Sequence, residues 1–288
     1  MGCKKWTATL CIFFITLAAA QAGSPVWEIS NGVHKLYIGG TIHVLGEADY
    51  PLPPEFSKAY EDSRILVFET DIAKTKDPQF AKNLMGQMVY SNGRTLQSMI
   101  RPSTFDALSR FSGDRGIPAQ SLNTFKPGMI MVFLTMAEMK RLGAGGAGVD
   151  EFYFKRGKAD KRPMKFLESP MEQIRFLADI GKGKEDEMIT YILKDIKKLP
   201  DLLPLMKQAW RSGDNDRLYK ETLAPLKKEY PRLYHTIMVK RNLAWLPAIQ
   251  RMLVTPETEF ILVGAAHLTG DQGLIALLRD RGFTAVNQ

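Results

Sequence analysis

Leu36-Tyr37-Ile38-Gly39-Gly40-Thr41-Ile42-His43 and Phe260-Ile261-Leu262-Val263-Gly264-Ala265-Ala266-His267 decide the fold class. Each is a short apolar run, as expected of a strand inside a sheet, and each runs into Gly-x-x-His. Glycine at a strand end lets the backbone turn sharply and approach a bound group closely. In open α/β sheets ligands bind at the carboxyl ends of the strands, so both histidines are expected at that edge. Two further runs repeat the theme: Ile65–Phe68 ends at Glu69, and Met164–Leu167 ends at Glu168. The order is His then Glu in the first half and Glu then His in the second. That is compatible with two degenerate halves of one α/β domain, a mixed sheet with a large helical middle region.

Outward from these strands, Val26–Ser30 and His34–Ile38 flank Asn31-Gly32, the strongest short hairpin signal because both central residues then take positive φ. Pro51, Pro53 and Pro54 lead to a helix over about 55–62. Asp77-Pro78 opens a helix to about Tyr90, with an N-cap followed by Pro at the first helical position. Helices are expected over 102–111 and 127–142; the second is Met-rich (Met129, Met131, Met136, Met139) and reads as a packed core helix. Gly143–Gly148 breaks the pattern and lacks both a P-loop Lys-Ser/Thr and a dinucleotide fingerprint. Further helices are expected over 149–158, from a Ser169/Glu172 capping box, and over 185–199, 202–211 and 214–226. A long helix from Pro231 towards Leu253 is expected to bend at Pro247. The chain closes with a strand over 259–263, a helix over 272–281, Gly282 at a C-cap position and a strand over 284–286.

The first 22 residues read as a signal peptide. Lys4 and Lys5 precede an apolar stretch from Trp6 to Ala20, and Ala20-Gln21-Ala22 suits cleavage after Ala22. The stretch is short of the ~20 apolar residues of a membrane span. A periplasmic or secreted location follows, with no stable membrane span after cleavage. Both cysteines, Cys3 and Cys11, fall inside this leader; Cys11 sits within the apolar run rather than after it, which argues against lipidation. The mature chain then has no thiol, no disulfide and no Cys-ligated zinc. About 266 residues remain, enough for one α/β domain with its own core. The formal charge of +8 falls to about +6 on cleavage. Basic residues concentrate at 155–162, 197–198 and 227–228, which reads as a solvated face. No aromatic-basic or zinc-finger pattern appears, so nucleic acid is not an expected partner.

Convergent imidazoles and carboxylates at one sheet edge suit a divalent cation, and they are the ligands left to a chain without thiols. Three protein ligands and an open position would lower the pKa of a bound water towards ~7, and a further carboxylate would accept its proton. His43, His267, Glu69 and Glu168 supply those parts, with either glutamate as ligand or base. His34, in the hairpin, and His235, on the long helix, receive no role. Ser169 stands outside any Gly-x-Ser-x-Gly elbow, and Thr41 would be an unusual internal nucleophile.

With these elements in place the chain resembles the TraB/PrgY/GumN family, and its GumN branch most closely. The matching elements are Val26-Trp27 with the Asn-Gly hairpin, LYIGGTIHVL (36–45), YPLPP (50–54), ILVFETD (65–71) and GVDEF (148–152). FLES (166–169) with Gln173, Arg241-Asn242 with Trp245, and FILVGAAHL (260–268) complete them. The resemblance implies a fold shared with erythromycin-esterase-like and ChaN-like proteins. Through the Tiki metalloproteases it implies metal-dependent peptidase chemistry on a peptide or protein substrate. His43, His267 and Glu69 are then the metal and catalytic residues, with Mn, Co or Zn as the metal. Glu168 falls in a further acidic motif. Arg241 and Asn242 match an Arg-Asn pair that orients the site or the substrate. The second motif reads Gly-Ala-Ala-His where the branch often has Gly before His. The alternatives are a non-enzymatic periplasmic protein that binds peptide, haem or sugar, and an envelope factor for polysaccharide.

Overall fold

The computed structural model describes residues 23–75 and 77–288. The signal-peptide expectation lies outside the described residues. Strands are β1 (Val26–Ser30), β2 (Lys35–Thr41), β3 (Val44–Leu45), β4 (Ile65–Phe68), β5 (Gly146–Ala147), β6 (Met164–Phe166), β7 (Glu259–Gly264) and β8 (Thr284–Asn287). Six of them form one mixed sheet in the order β6-β4-β7-β2-β1-β8; β3 and β5 form a small second pair. β6, β4, β7 and β2 run parallel, and β1 is antiparallel to both β2 and β8. The strands from the two ends of the chain interleave: β7 lies between β2 and β4.

β7 is buried along its whole length because both sheet faces are covered. Phe260 and Leu262 join Tyr37, Phe56, Tyr153 and Trp210 on one side. Ile261 and Val263 join Ile38, Val67, Trp245 and Ile249 on the other. The middle of the chain builds a third, helical core around Leu108, Ile130, Ile189 and Ile192. Among the described residues no helix is long and apolar enough to cross a membrane.

Several local expectations hold, because the side chains carry their own geometry. Asp77 accepts the N–H groups of Gln79 and Phe80 at the head of the helix Pro78–Met88. Ser169 and Glu172 form the reciprocal capping box of the helix Pro170–Ala178. Others shift. The connection between β1 and β2 is four residues long, Asn31–His34, and Gly32 takes positive φ there while Asn31 does not. Asn31 instead accepts the N–H groups of Val33 and His34 through its side chain, which supplies the turn without left-handed backbone. In the Met-rich helix Pro127–Arg141, Met129 is buried, but Phe133 and Met136 face solvent. The helix Lys240–Met252 carries Pro247 inside it and is preceded by a π-helical turn over His235–Val239, which the sequence did not suggest.

Candidate active site

β6, β4, β7 and β2 end on a common edge, and each hands on one chemically active residue. Glu168, Glu69, His267 and His43 follow these strands in that spatial order. The backbone joins the two acids: the Glu168 N–H donates to the Glu69 carbonyl at 2.8 Å, continuing the parallel ladder of β4 and β6. Around Gly264, a notional Cβ would lie 3.4 Å from Glu69 Oε1, 3.4 Å from His43 Nε2 and 3.6 Å from His267 Cδ2. The four residues expected from sequence therefore converge, although two come from opposite ends of the chain.

Arg241 stands at the centre of this group. Its Nη2 donates to Glu69 Oε2 at 2.5 Å and to Glu168 Oε1 at 2.7 Å. Nε donates to Glu168 Oε2 at 3.1 Å, and Nη1 donates to His267 Nε2 at 3.1 Å. The guanidinium also lies over the Trp245 ring, whose Nε1 donates to Glu168. The π-helical turn before Lys240 explains the placement. It inserts one residue's worth of rotation, about 100°. That rotation sets the face on which Arg241, Asn242 and Trp245 look towards the sheet edge.

Asn242 is 1% exposed and fixes His267 rather than facing solvent. His267 Nδ1 lies 2.6 Å from Asn242 Oδ1, and the Asn242 amide donates to the carbonyls of His267 and Gln272. With Nδ1 donating, His267 Nε2 is the acceptor of the Arg241 N–H, so the ring is neutral. Burial pushes its pKa down to about 3. Burial alone would raise Glu69. Arg241, then His267 and His43, with the Gly264 N–H at 2.7 Å, outweigh it and hold the carboxyl at about 2. Burial pushes Glu168 above the usual carboxylate range, against Arg241.

His43 differs from the rest because its side chain is 59% exposed. Its Nδ1 lies 2.8 Å from Asp150 Oδ2, and Thr41 Oγ1 donates to Asp150 Oδ1 at 2.8 Å. Asp150 raises His43 to about 9, through its charge and its hydrogen bond. With Nδ1 committed to Asp150, Nε2 is the open nitrogen, on the side of Glu69 and Gly264. Asp150 opens the helix Val149–Ala159, and the Val149 N–H is tied to the Ile42 carbonyl at 3.0 Å. The close approach depends on Gly148, where any Cβ would overlap the carbonyls of His43 and Ile42.

Asp150 lies in the GVDEF stretch (148–152), and the sequence alone gives it no role. Its signal was an acid one residue into a helix that follows a Gly-rich breaker, a pattern that also serves the helix dipole. Thr41 turns out to orient Asp150. His34 lies in the connection between β1 and β2, and His235 begins the π-helical turn upstream of Arg241.

The donor chemistry can be set against a divalent ion. His267 Nε2, Glu69 Oε2 and both Glu168 oxygens are occupied by Arg241. Among the described residues no group of three or more His, Asp or Glu side chains is arranged to hold a metal. With Arg241 seated, the residues do not fit a three-ligand metal centre. A family model described as the TraB/PrgY/gumN family matches residues 25–287, nearly the whole chain. Neither a curated protein nor a solved structure matches it.

Proposed function

The chain belongs to the TraB/PrgY/gumN family, and from that premise we propose that it is a hydrolase of peptide or related acyl bonds with His43 as its general base. The observation that carries this reading is the open Nε2 of a half-exposed histidine. Asp150 holds that ring from behind, beside a buried Glu-Arg-Glu cluster at the carboxyl edge of the parallel strands. Both glutamates are engaged by Arg241, so the solvent-facing nitrogen that accepts a proton, once the ring is in its neutral form, is that of His43.

In the step proposed, His43 Nε2 takes a proton from water as its oxygen attacks the acyl carbon. Four of the five Arg241 N–H donors are engaged by Glu69, Glu168 and His267. The remaining N–H, on Nη1, would donate to the oxygen that becomes negative. Collapse of the intermediate expels the leaving group, which receives the proton held by His43. Asp150 keeps the ring's tautomer and stabilises the imidazolium between the two transfers. The charged, then apolar, start of the sequence supports action outside the cytoplasm. A peptide substrate is proposed from the family's Tiki branch.

The test uses peptide and acyl-ester libraries with wild type, His43→Ala and Asp150→Asn, each in the presence and absence of a chelator. Turnover by wild type that survives chelation and falls by about 10²–10⁴ in His43→Ala is expected. Turnover that disappears on chelation and returns with Mn²⁺, Co²⁺ or Zn²⁺ would favour a metal-dependent hydrolase. Equal turnover in wild type and His43→Ala would remove the role given to His43.

A further inference from the structure

Glu69, Glu168 and His267 are the donor types of a divalent site, and they surround a position already filled by a positive group from the chain itself. Arg241 nitrogens lie 2.5 Å from Glu69 Oε2, 2.7 Å from Glu168 Oε1 and 3.1 Å from His267 Nε2. Zn–O and Zn–N bonds in proteins are about 2.0–2.2 Å, so an ion sharing these donors would overlap the guanidinium and repel it. We infer that Arg241 is the cation around which this cluster is built, in place of a metal ion, and that its removal converts the cluster into a divalent-cation site.

Three features keep the guanidinium seated. It is fixed by four hydrogen bonds, two of them to one carboxylate in the forked arrangement that suits arginine. It lies over the Trp245 ring, with its charge centre 4.7 Å from the ring centroid. The next residue, Asn242, anchors the same helix to the backbone at His267 and Gln272, so the stem of Arg241 has a fixed origin. Its side chain is only 12% exposed, and the carboxylates of Glu69 and Glu168 are more buried still. Taking away the guanidinium leaves two buried carboxylates and an imidazole lone pair pointing into one space. Buried charge without a counter-charge is strongly disfavoured. The space would then accept a proton or a cation.

This inference is independent of the role given to His43, because its readout is ion uptake and not turnover. The protein, stripped with chelator and dialysed, is titrated calorimetrically with Mn²⁺, Co²⁺ and Zn²⁺. Wild type is expected to show no saturable uptake at this cluster. Arg241→Ala and Arg241→Met are expected to take up one equivalent, lost again when His267→Ala is added. The two variants run side by side so that a folding defect in one does not decide the result. Should both unfold, the wild-type titration decides. One equivalent bound by wild type and lost in His267→Ala would overturn the inference. So would folded Arg241→Ala and Arg241→Met proteins that take up no ion.

Discussion

Asp150 Oδ2 lies 2.8 Å from His43 Nδ1 although 107 positions separate the two residues, and the contact raises the pKa of the ring. With Asp150 in place His43 is raised to about 9, so at neutral pH most of it is imidazolium. A base acts only when deprotonated. The expected kcat/KM therefore climbs with pH through an apparent pKa near 9. Asp150→Asn removes the main cause of the shift, and the limb should move down towards ~6.5 while the plateau rate drops. Titration of the His43 ring by NMR checks the shift without any substrate. An unchanged midpoint in Asp150→Asn would dissolve the pairing.

Gly148 is the residue through which that contact is made possible. Its Cα faces the His43 carbonyl so closely that alanine requires backbone movement. Gly148→Ala is expected to lower stability by about 1–3 kcal/mol, the range of overpacked sites. It should also pull Asp150 from His43, so the ring's pKa should fall as in Asp150→Asn. Thermal unfolding and ring titration on the same sample read both effects. Gly86→Ala, where a Cβ meets nothing within 4 Å, serves as the control.

The π-helical turn at His235–Val239 gives a prediction about register. Deleting Thr236, half-buried within that turn, lets the segment relax to an α-helix. Everything on one side of it then rotates by about 100° relative to the other. Arg241 and Asn242 would leave His267 and the two glutamates. Helix content by circular dichroism should stay close to wild type while hydrolysis is lost. Retained activity would mean that the turn does not set the position of Arg241.

Acid should weaken the fold in two overlapping stages. His267 has a folded value near 3, below its ordinary 6.5, because burial disfavours the imidazolium. As pH falls below 6.5 the unfolded chain binds a proton that the folded chain refuses, and stability declines until about pH 3. Glu69 is held at about 2 against an ordinary 4.5. Its contribution is complete above 4.5 and is lost as pH falls towards 2. These two slopes share one sign; Glu168, raised by burial, contributes the opposite slope just above 4.5, so the thermal midpoint should fall between pH 6.5 and 2, least steeply where Glu168 takes up its proton. His267→Gln should remove the decline between 6.5 and 4.5 and leave the lower part. A mutant profile parallel to wild type across the upper window would contradict the cause assigned to His267.

The strands were legible because a buried parallel strand leaves a continuous apolar run, and Gly-x-x-His after two of them marks the same sheet edge. That reasoning located His43, Glu69, Glu168 and His267 without any tertiary information. Arg241 entered through the resemblance alone, as a residue orienting the site or the substrate; its position between the glutamates was hidden, since helical periodicity in the sequence does not reveal a π-helical turn, and one extra residue changes which face looks inward. Nor could that reasoning see that the donors of a metal centre are also the acceptors of a guanidinium: residue type is the same in both cases, and distance alone separates them. Asp150 was hidden differently. An acid in the first turn of a helix has a local explanation, and the contact with His43 exists only because Gly148 brings a distant segment against the end of β2.

Three ionic groups that share one enclosed space cannot drift separately. Losing Arg241 strands a pair of anions, and losing either glutamate takes away one of the two carboxylates that hold the guanidinium. Sequences descending from this one should therefore change these positions in concert or not at all, and a replacement at position 241 should be accompanied by a second one at 69 or 168.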